Sequence, residues 1–485
     1  MGLALSILGL AWAEPVALPI QEAVSKNKQW QAASINDTSL TLETDFPDKT
    51  WWQQFQDPEL EKLIQNALKH NQNIAMAEAR LAQARATARQ NLGKEFPTLS
   101  VGATGSKSEN FYTRSSSSSS SNSGSSSGNG GFQVFSPNVV STVYSFPLRV
   151  NYEPDIWFAK RDKTRAKKEL VKAELEKLRA TQLAVMTDVA SYYFTLLGQK
   201  NQITLSEKKL VAARQDLDIT QAQFEVGLIN EDAVNQKRQQ LALYKSQLAY
   251  ANQVGQEAFN ALAILEGTTP ENFVLPGQSQ TLAKALESIP IQSTFQAGLP
   301  SELLTRRPDI LAEEAALEAT KYDVRAARKA FLPLFNLGGS LGYTDIAVGS
   351  AFTLQNAAWN AVAGLTQSLF SGGQLKADLR YNKAKQKEAA HRYQETILQA
   401  CKEVDDSLSA LKAAYKNVQA VQETRDAVEK QNAIIQARIE SGALAEGTAA
   451  QQNLASYDAK SAQIQSHLNM LIHSLSLYKA LGGGY

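Results

Sequence analysis

The chain has a single cysteine, Cys401, among its 485 residues. A disulfide framework within the chain is therefore excluded. Ala400 and Lys402 flank it in a helical pattern, which points to a structural thiol rather than a nucleophile. An excess of either charge is also missing: 49 Lys and Arg face 48 Asp and Glu, for a net charge of +1. Neutralising a phosphate backbone needs a clear basic surplus, so nucleic acid is not an expected partner. Histidine is scarce, and His70, His391, His467 and His473 include no i, i+4 pair, so no metal site is expected. No Walker A or HExxH motif is present. The one GxSxG match, residues 124–128, lies inside a serine run, without the preceding strand and following helix of a nucleophile elbow. No catalytic residue, cofactor or metal is expected, and the chain is not read as an enzyme. Beyond the N-terminus no apolar stretch reaches the roughly 18 residues of a membrane-spanning helix.

The N-terminal "MGLALSILGLAWAEP" is apolar over residues 3–12, with Ala11-Trp12-Ala13 as a small-x-small cleavage site. This reads as a signal peptide, residues 1–13, although a positive n-region is missing and the true start can lie upstream. A buried N-terminal helix is the alternative. No cysteine follows the cleavage site, so lipid anchoring there is not expected. Residues 14–57 are expected to form an extended N-terminal segment.

Proline is absent from 159–226 and from 374–441, and Gly198 is the lone glycine in either. Both stretches are rich in Ala, Gln, Lys, Glu and Leu, which favour helix. At about 1.5 Å per residue each would span roughly 100 Å. Leu175, Leu178, Val185, Val189, Tyr192 and Leu196 recur at three- and four-residue steps, forming a seam for helix packing. Each long helix stops at a glycine, Gly227 or Gly442, and a second helix follows, at 230–266 and 446–481.

The two halves are copies. At an offset of 236, Ile74, Glu78, Leu81, Arg89 and Pro97 meet Ile310, Glu314, Leu317, Arg325 and Pro333. At an offset of 215, Gln221, Glu225, Gln236 and Gly267 meet Gln436, Glu440, Gln451 and Gly482. Each unit reads helix, strand pair, long helix, helix. Repeat 1 spans 58–266 with a β-hairpin at 96–157; repeat 2 spans 309–481 with a β-hairpin at 332–370. Residues 267–308 join them and 482–485 form a tail. Four strands are expected, at 96–112, 133–157, 332–347 and 353–370, because polar and apolar residues alternate there.

The run "TRSSSSSSSNSGSSSGNGG", 113–131, first suggests an interdomain linker. It falls instead inside the first strand pair, where the two repeats differ in length. A loop within one unit is the better reading.

Four strands cannot close a pore, and open edges are costly in water and forbidden in lipid. Oligomerisation would remove them. The strands are long enough for a transmembrane barrel, and aromatics near their ends (Phe96, Tyr144, Phe146, Trp157, Phe331, Tyr343, Trp359, Phe370) suit interfacial girdles. A soluble β-subdomain is the alternative.

The motifs "WWQQFQDPELEKLIQNAL", "LPSELLTRRPDILAEEAAL", "AARKAFLPLFNLGGSLG", "SLFSGGQLKADL", "EVDDSL" and "LYKALGGGY" resemble the outer membrane efflux proteins of the TolC/OprM type, from about Trp51 onward. The resemblance implies an α+β membrane protein of the bacterial outer membrane. Three chains would form a 12-stranded transmembrane β-barrel continued by a long periplasmic α-helical barrel. The implied function is the exit duct of a tripartite efflux pump for small molecules, with a periplasmic adaptor, an inner-membrane transporter and outer membrane lipid as partners. The exit duct of a type I protein secretion system shares the fold. A structural coiled-coil protein without a pore is the reading from another class.

By the same resemblance the helical turns, Val226, Gly227 and Leu228 with Ser441, Gly442 and Ala443, meet the adaptor and close the periplasmic end. The family's aspartate in the second-unit aperture is here Gln451, with Thr448 one turn earlier; the first-unit equivalent is Gln236, with Asp232 nearby. The acidic ring is thus replaced by neutral side chains, unless Gln451 turns into a helix interface. Lys160, Arg161, Lys163 and Arg165 follow the second strand and could meet anionic headgroups, or simply form a solvated helix face.

Overall fold

The computed structural model describes residues 18–26, 30, 41–43, 50–110, 139–275, 286–290, 294–296, 300–345, 357–444 and 447–483. The expected signal peptide and the serine-rich loop 113–131 lie outside the described residues. The first elements are α1 (Pro19–Lys26), β1 (Thr41–Glu43), α2 (Pro58–His70) and α3 (Gln72–Gly93). Strands β2 (Thr98–Val101), β3 (Thr104–Asn110) and β4 (Val139–Tyr152) precede α4 (Ala159–Glu225) and α5 (Glu231–Leu265). Next come β5 (Thr294–Gln296), α6 (Pro300–Arg306) and α7 (Pro308–Lys329). Last are β6 (Leu334–Asp345), β7 (Ala357–Thr366), α8 (Gln374–Glu440) and α9 (Gly447–Ala480). Among the described residues no helix is long and apolar enough to cross a membrane.

The element ends obey the two sequence offsets. Helices α3 and α7 differ by 236 at both ends, and so do the starts of β2 and β6. Helices α4 and α8 differ by 215 at both ends, as do the last residues of α5 and α9.

Two expectations need correction. The N-terminal segment is not simply extended, since it holds α1 and a 3-10 turn at Trp51–Phe55. The first helix of repeat 1 is two helices, because Asn71 interrupts it. The Asn71 side-chain carbonyl accepts from the Asn73 and Ile74 N–H groups at 2.9 and 3.3 Å, and its amide donates to Leu265 O at 2.9 Å. That is N-cap chemistry, which starts a new helix. The segment between the repeats contains α6, and β5 pairs in parallel with β1.

The chain forms two compact units. The helical unit comprises Met1–Ala86, Lys167–Lys321 and Ala384–Tyr485. Its core gathers around the "WWQQF" turn. Trp51 is fully buried and stacks on Tyr478 with ring centroids 5.3 Å apart, while Phe55 meets Phe194 edge-on at 5.1 Å. Asp57 caps α2, accepting from Glu59 N at 2.9 Å, and Pro58 opens the helix without wasting a donor. The second oxygen of Asp57 accepts from the Tyr193 hydroxyl at 2.9 Å, tying the cap to α4. Burial, with Asp57 beside it, holds the Tyr193 hydroxyl far above the usual tyrosine range.

The "RRPDI" motif behaves differently from "DPEL". Arg307, not an aspartate, precedes the helix-opening proline. Its guanidinium is almost fully buried. It donates to both Asp309 oxygens at 2.9 and 3.0 Å, to Ala480 O at 3.0 Å and to Glu403. One side chain thereby joins the start of α7 to the middle of α8 and the end of α9. Arg307→Ala removes the donor to the Ala480 carbonyl and to one oxygen of Glu403, and should cost about 2 kcal/mol of stability. Arg307→Lys should recover only part, because an ammonium cannot fork to all these acceptors. Thermal melts of the purified variants check the order wild type, Lys, Ala.

Glu266, the C-cap of α5, is buried, and one of its oxygens has no hydrogen-bond partner among the described residues. Burial pushes its carboxyl up to about 7. The fold therefore favours the protonated form, and stability falls as pH rises from the ordinary glutamate range through 7. Glu266→Gln should raise the melting temperature near pH 8 and change it little near pH 5. Equal effects at both pH values would refute the titration.

Candidate functional site

The hairpin ends are built twice by the same backbone device. In the first, Gly227 N donates to Phe224 O and Leu228 N to Gln223 O, both at 2.9 Å. In the second, Gly442 N donates to Ile439 O at 2.9 Å and Ala443 N to Arg438 O at 2.8 Å. Both glycines sit at positive φ, 76° and 73°, where an L side chain is strained. This paired 6→1 and 5→2 pattern satisfies the last carbonyls and ends the helix. All six predicted turn residues are exposed, and Val226 and Leu228 present apolar side chains at 71% and 74% exposure.

Asp232 and Gln236 lie in the first turns of α5, and Thr448 and Gln451 in those of α9. Asp232, Gln236 and Gln451 are exposed, so the alternative of Gln451 in a helix interface within the chain does not hold. Asp232 has no counterpart in α9, whose first residue is Gly447. Sequence reasoning missed the charge pairs behind these residues. Lys237 reaches the buried Asp216 at 2.6 Å, linking α5 to α4. Lys209 pairs with Asp458 at 2.8 Å, linking α4 to α9, and lies 5.8 Å from the Tyr244 ring centre. An opposite-charge match between helices brought together only by the fold leaves no local sequence signal.

The second unit comprises Thr87–Ala166 and Tyr322–Lys383. Its sheet runs β2-β4-β6-β7, with β3 also on β4, and every pairing is antiparallel. The first expected strand is thus two pieces, β2 and β3. Pro147 causes the break. Gly102 N donates to Pro147 O at 2.9 Å, but proline has no N–H to return the bond. Across the other side, a Cβ on Gly342 would lie 2.8 Å from Pro147 Cα, so only glycine fits. The other strands are also shorter than expected: β4 stops at Tyr152 rather than 157, and β7 at Thr366 rather than 370.

Register sorts the side chains into two faces. One carries Leu99, Val101, Leu148, Val150, Leu341, Trp359 and Leu365, all exposed. The other carries Thr98, Ser100, Arg149, Asn151, Ser340 and Asn360. From Phe335 to Tyr343 the apolar face is roughly 27 Å tall at about 3.4 Å per residue. The outer edges, β2 with β3 and β7, have no strand partner among the described residues.

The basic run is partly engaged locally. Lys160 donates to Glu153 O at 3.0 Å and pairs with its carboxylate at 3.3 Å. Arg161 lies over the Phe158 ring at 4.9 Å, Arg165 reaches Asp162 at 3.5 Å, and Lys163 is exposed. Phe158 holds φ 60°, while the corresponding corner uses Gly372 and Gly373 at φ 59° and 87°. The first corner therefore keeps the left-handed bend without glycine. Asp155 stabilises it by accepting from Lys160 N and Arg161 N at 3.1 and 2.8 Å, and Lys329 by donating to Phe158 O at 3.2 Å. Among the described residues no cluster of His, Cys, Asp and Glu has the makings of a metal site.

A model of the family described as "Outer membrane efflux protein" matches residues 63–268 and 299–483. The chain is 29% identical over 481 residues to the pyoverdine export outer membrane protein OpmQ of Pseudomonas aeruginosa, covering 99% of this chain and 95% of that one. It is 29% identical over 461 residues to a probable efflux pump outer membrane protein, TtgC, of Pseudomonas putida, covering 94% and 90%. The solved outer-membrane channel OprN has the same fold, with TM-score 0.79, 22% identity and 99% of each chain covered. With the family model matching both repeats, this chain belongs to the outer membrane efflux protein family.

Proposed function

We propose that three copies of this chain close their sheets edge to edge into a 12-stranded barrel and form the exit duct of a tripartite efflux pump. The observation that carries this is the sheet of the second unit. It exposes a tall apolar face, a polar face and two unpaired edges at once. Hydrocarbon would cover the apolar face, and a neighbouring copy would satisfy each edge. Water in the lumen would solvate the polar face. The exposed Phe96, Trp157 and Phe370 beside the strand ends suit a membrane interface, as do Lys163 and the other cations after β4. The loop 113–131 would then face the exterior.

The cargo we infer is small molecules, in keeping with the pyoverdine and efflux functions named for the relatives. The exposed Val226 and Leu228, with Ser441, Gly442 and Ala443, would dock a periplasmic adaptor that connects to an inner-membrane transporter. Crosslinked protein should run as a trimer and give discrete conductance steps in planar bilayers. A non-conducting monomer would overturn the proposal.

Gln451, Gln236, Thr448 and Asp232 would line the aperture at the hairpin end. With an amide at Gln451 in place of a carboxylate, that level of the mouth should hold divalent cations weakly. Gln451→Asp should lower the concentration of divalent cation that blocks the channel about tenfold, equivalent to roughly 1.4 kcal/mol. Unchanged block in bilayer recordings would remove Gln451 from the aperture.

A further inference from the structure

The polar face of the sheet is almost uncharged. Strand register sets Ser100, Arg149, Ser340 and Asn360 side by side in one row across four strands. The neighbouring row holds Thr98, Asn151, Gly338 and Val362. Among the described strand residues on this face, Arg149 is the one charged side chain. Leu148 and Val150, its chain neighbours, point to the apolar face, so alternation fixes the direction of Arg149. The residue is exposed, and no carboxylate among the described residues pairs with it.

The hollow over this face has a volume of about 720 Å³. Three cations, Lys94, Arg149 and Lys160, and one carboxylate, Glu153, line it. Glu153 is already taken by Lys160 at 3.3 Å. The local surplus is therefore positive, although the chain as a whole is nearly neutral.

We infer that Arg149 gives the barrel lumen a preference for anions, favouring passage of small molecules that carry carboxylate or phosphate-like groups. The inference rests on the trimeric barrel proposed above, in which three copies of Arg149 form a ring at one level. A guanidinium suits this role for two reasons. It is more weakly hydrated than an ammonium, so it gives up water to an incoming oxyanion more readily. It also forks to two oxygens of an oxyanion, while small Ser, Asn and Gly neighbours leave it room. In an aqueous lumen the contact is partly screened by salt, which lets cargo leave again.

Reversal potentials in planar bilayers under a low-salt KCl gradient test this. The wild type should shift towards the chloride potential, Arg149→Gln should lose most of that shift, and Arg149→Glu should reverse it. All three should retain discrete channels, since the site is exposed. A reversal potential unchanged in Arg149→Gln would overturn the role of Arg149. Absence of any conductance in the wild type would overturn the barrel itself. Position is tested separately with Arg149→Cys in a Cys401→Ser background. A membrane-impermeant thiol reagent should reduce conductance in steps, and an insensitive channel would place the side chain outside the lumen.

Discussion

Backbone hydrogen bonding at the edges of one sheet constrains everything else in this protein. The outer strands, β2 with β3 and β7, carry rows of N–H and C=O groups that no other described strand satisfies. Water can solvate such groups, but a face bearing Leu99, Val101, Leu341 and Trp359 is unfavourable in water. Hydrocarbon suits that face and forbids the open edge. Both demands are met together only when the edges are paired. A protein of the outer membrane efflux family thus carries in each chain a sheet whose two faces and two edges call for different surroundings. Pro147 and Gly342 adjust that sheet rather than break it, because the strand register continues unchanged across the gap between β2 and β3.

The helical unit solves a different problem. Helices of 67 residues, α4 and α8, need partners along their length, and their return helices α5 and α9, of 35 and 34 residues, accompany only part of it. The ends are held by backbone geometry, with the same glycine turn at Gly227 and Gly442. The middle is held by Arg307, which ties the end of the segment between the repeats to α8 and α9, and by the Trp51–Tyr478 stack, which ties the N-terminal segment to α9. Channel function requires tips that can meet a partner and a middle that stays rigid. Under the proposed function, the exposed Val226 and Leu228 would serve the first task and the buried Arg307 and Trp51 the second.

Much of this was legible in the residues. Proline-free stretches limit the long helices, and glycines at equal offsets mark their turns, because both act through local backbone energetics. The caps at Asp57 and Pro58 are local too. The break at Asn71 was missed although its residue type is a good cap, since the surrounding apolar spacing continues through it. The missing glycine at Phe158 hinted at an altered corner, yet the backbone keeps the left-handed bend there. Asp155 and Lys329 stabilise it, and Lys329 comes from 171 residues away. At the hairpin ends the sequence located Gln236 and Gln451 by their equivalence. It could not reveal that Lys237 pairs with Asp216 and Lys209 with Asp458.

By itself the sequence determined the duplicated order of elements, the helix lengths, the turn positions and the alternation of each strand, all properties of near neighbours along the backbone. The tertiary structure decided which strands pair and in what register, where Arg307 finds its acceptors, and which row of the sheet holds Arg149. Those outcomes depend on groups distant in sequence meeting within hydrogen-bond reach, and chain-local energetics carries no record of such meetings.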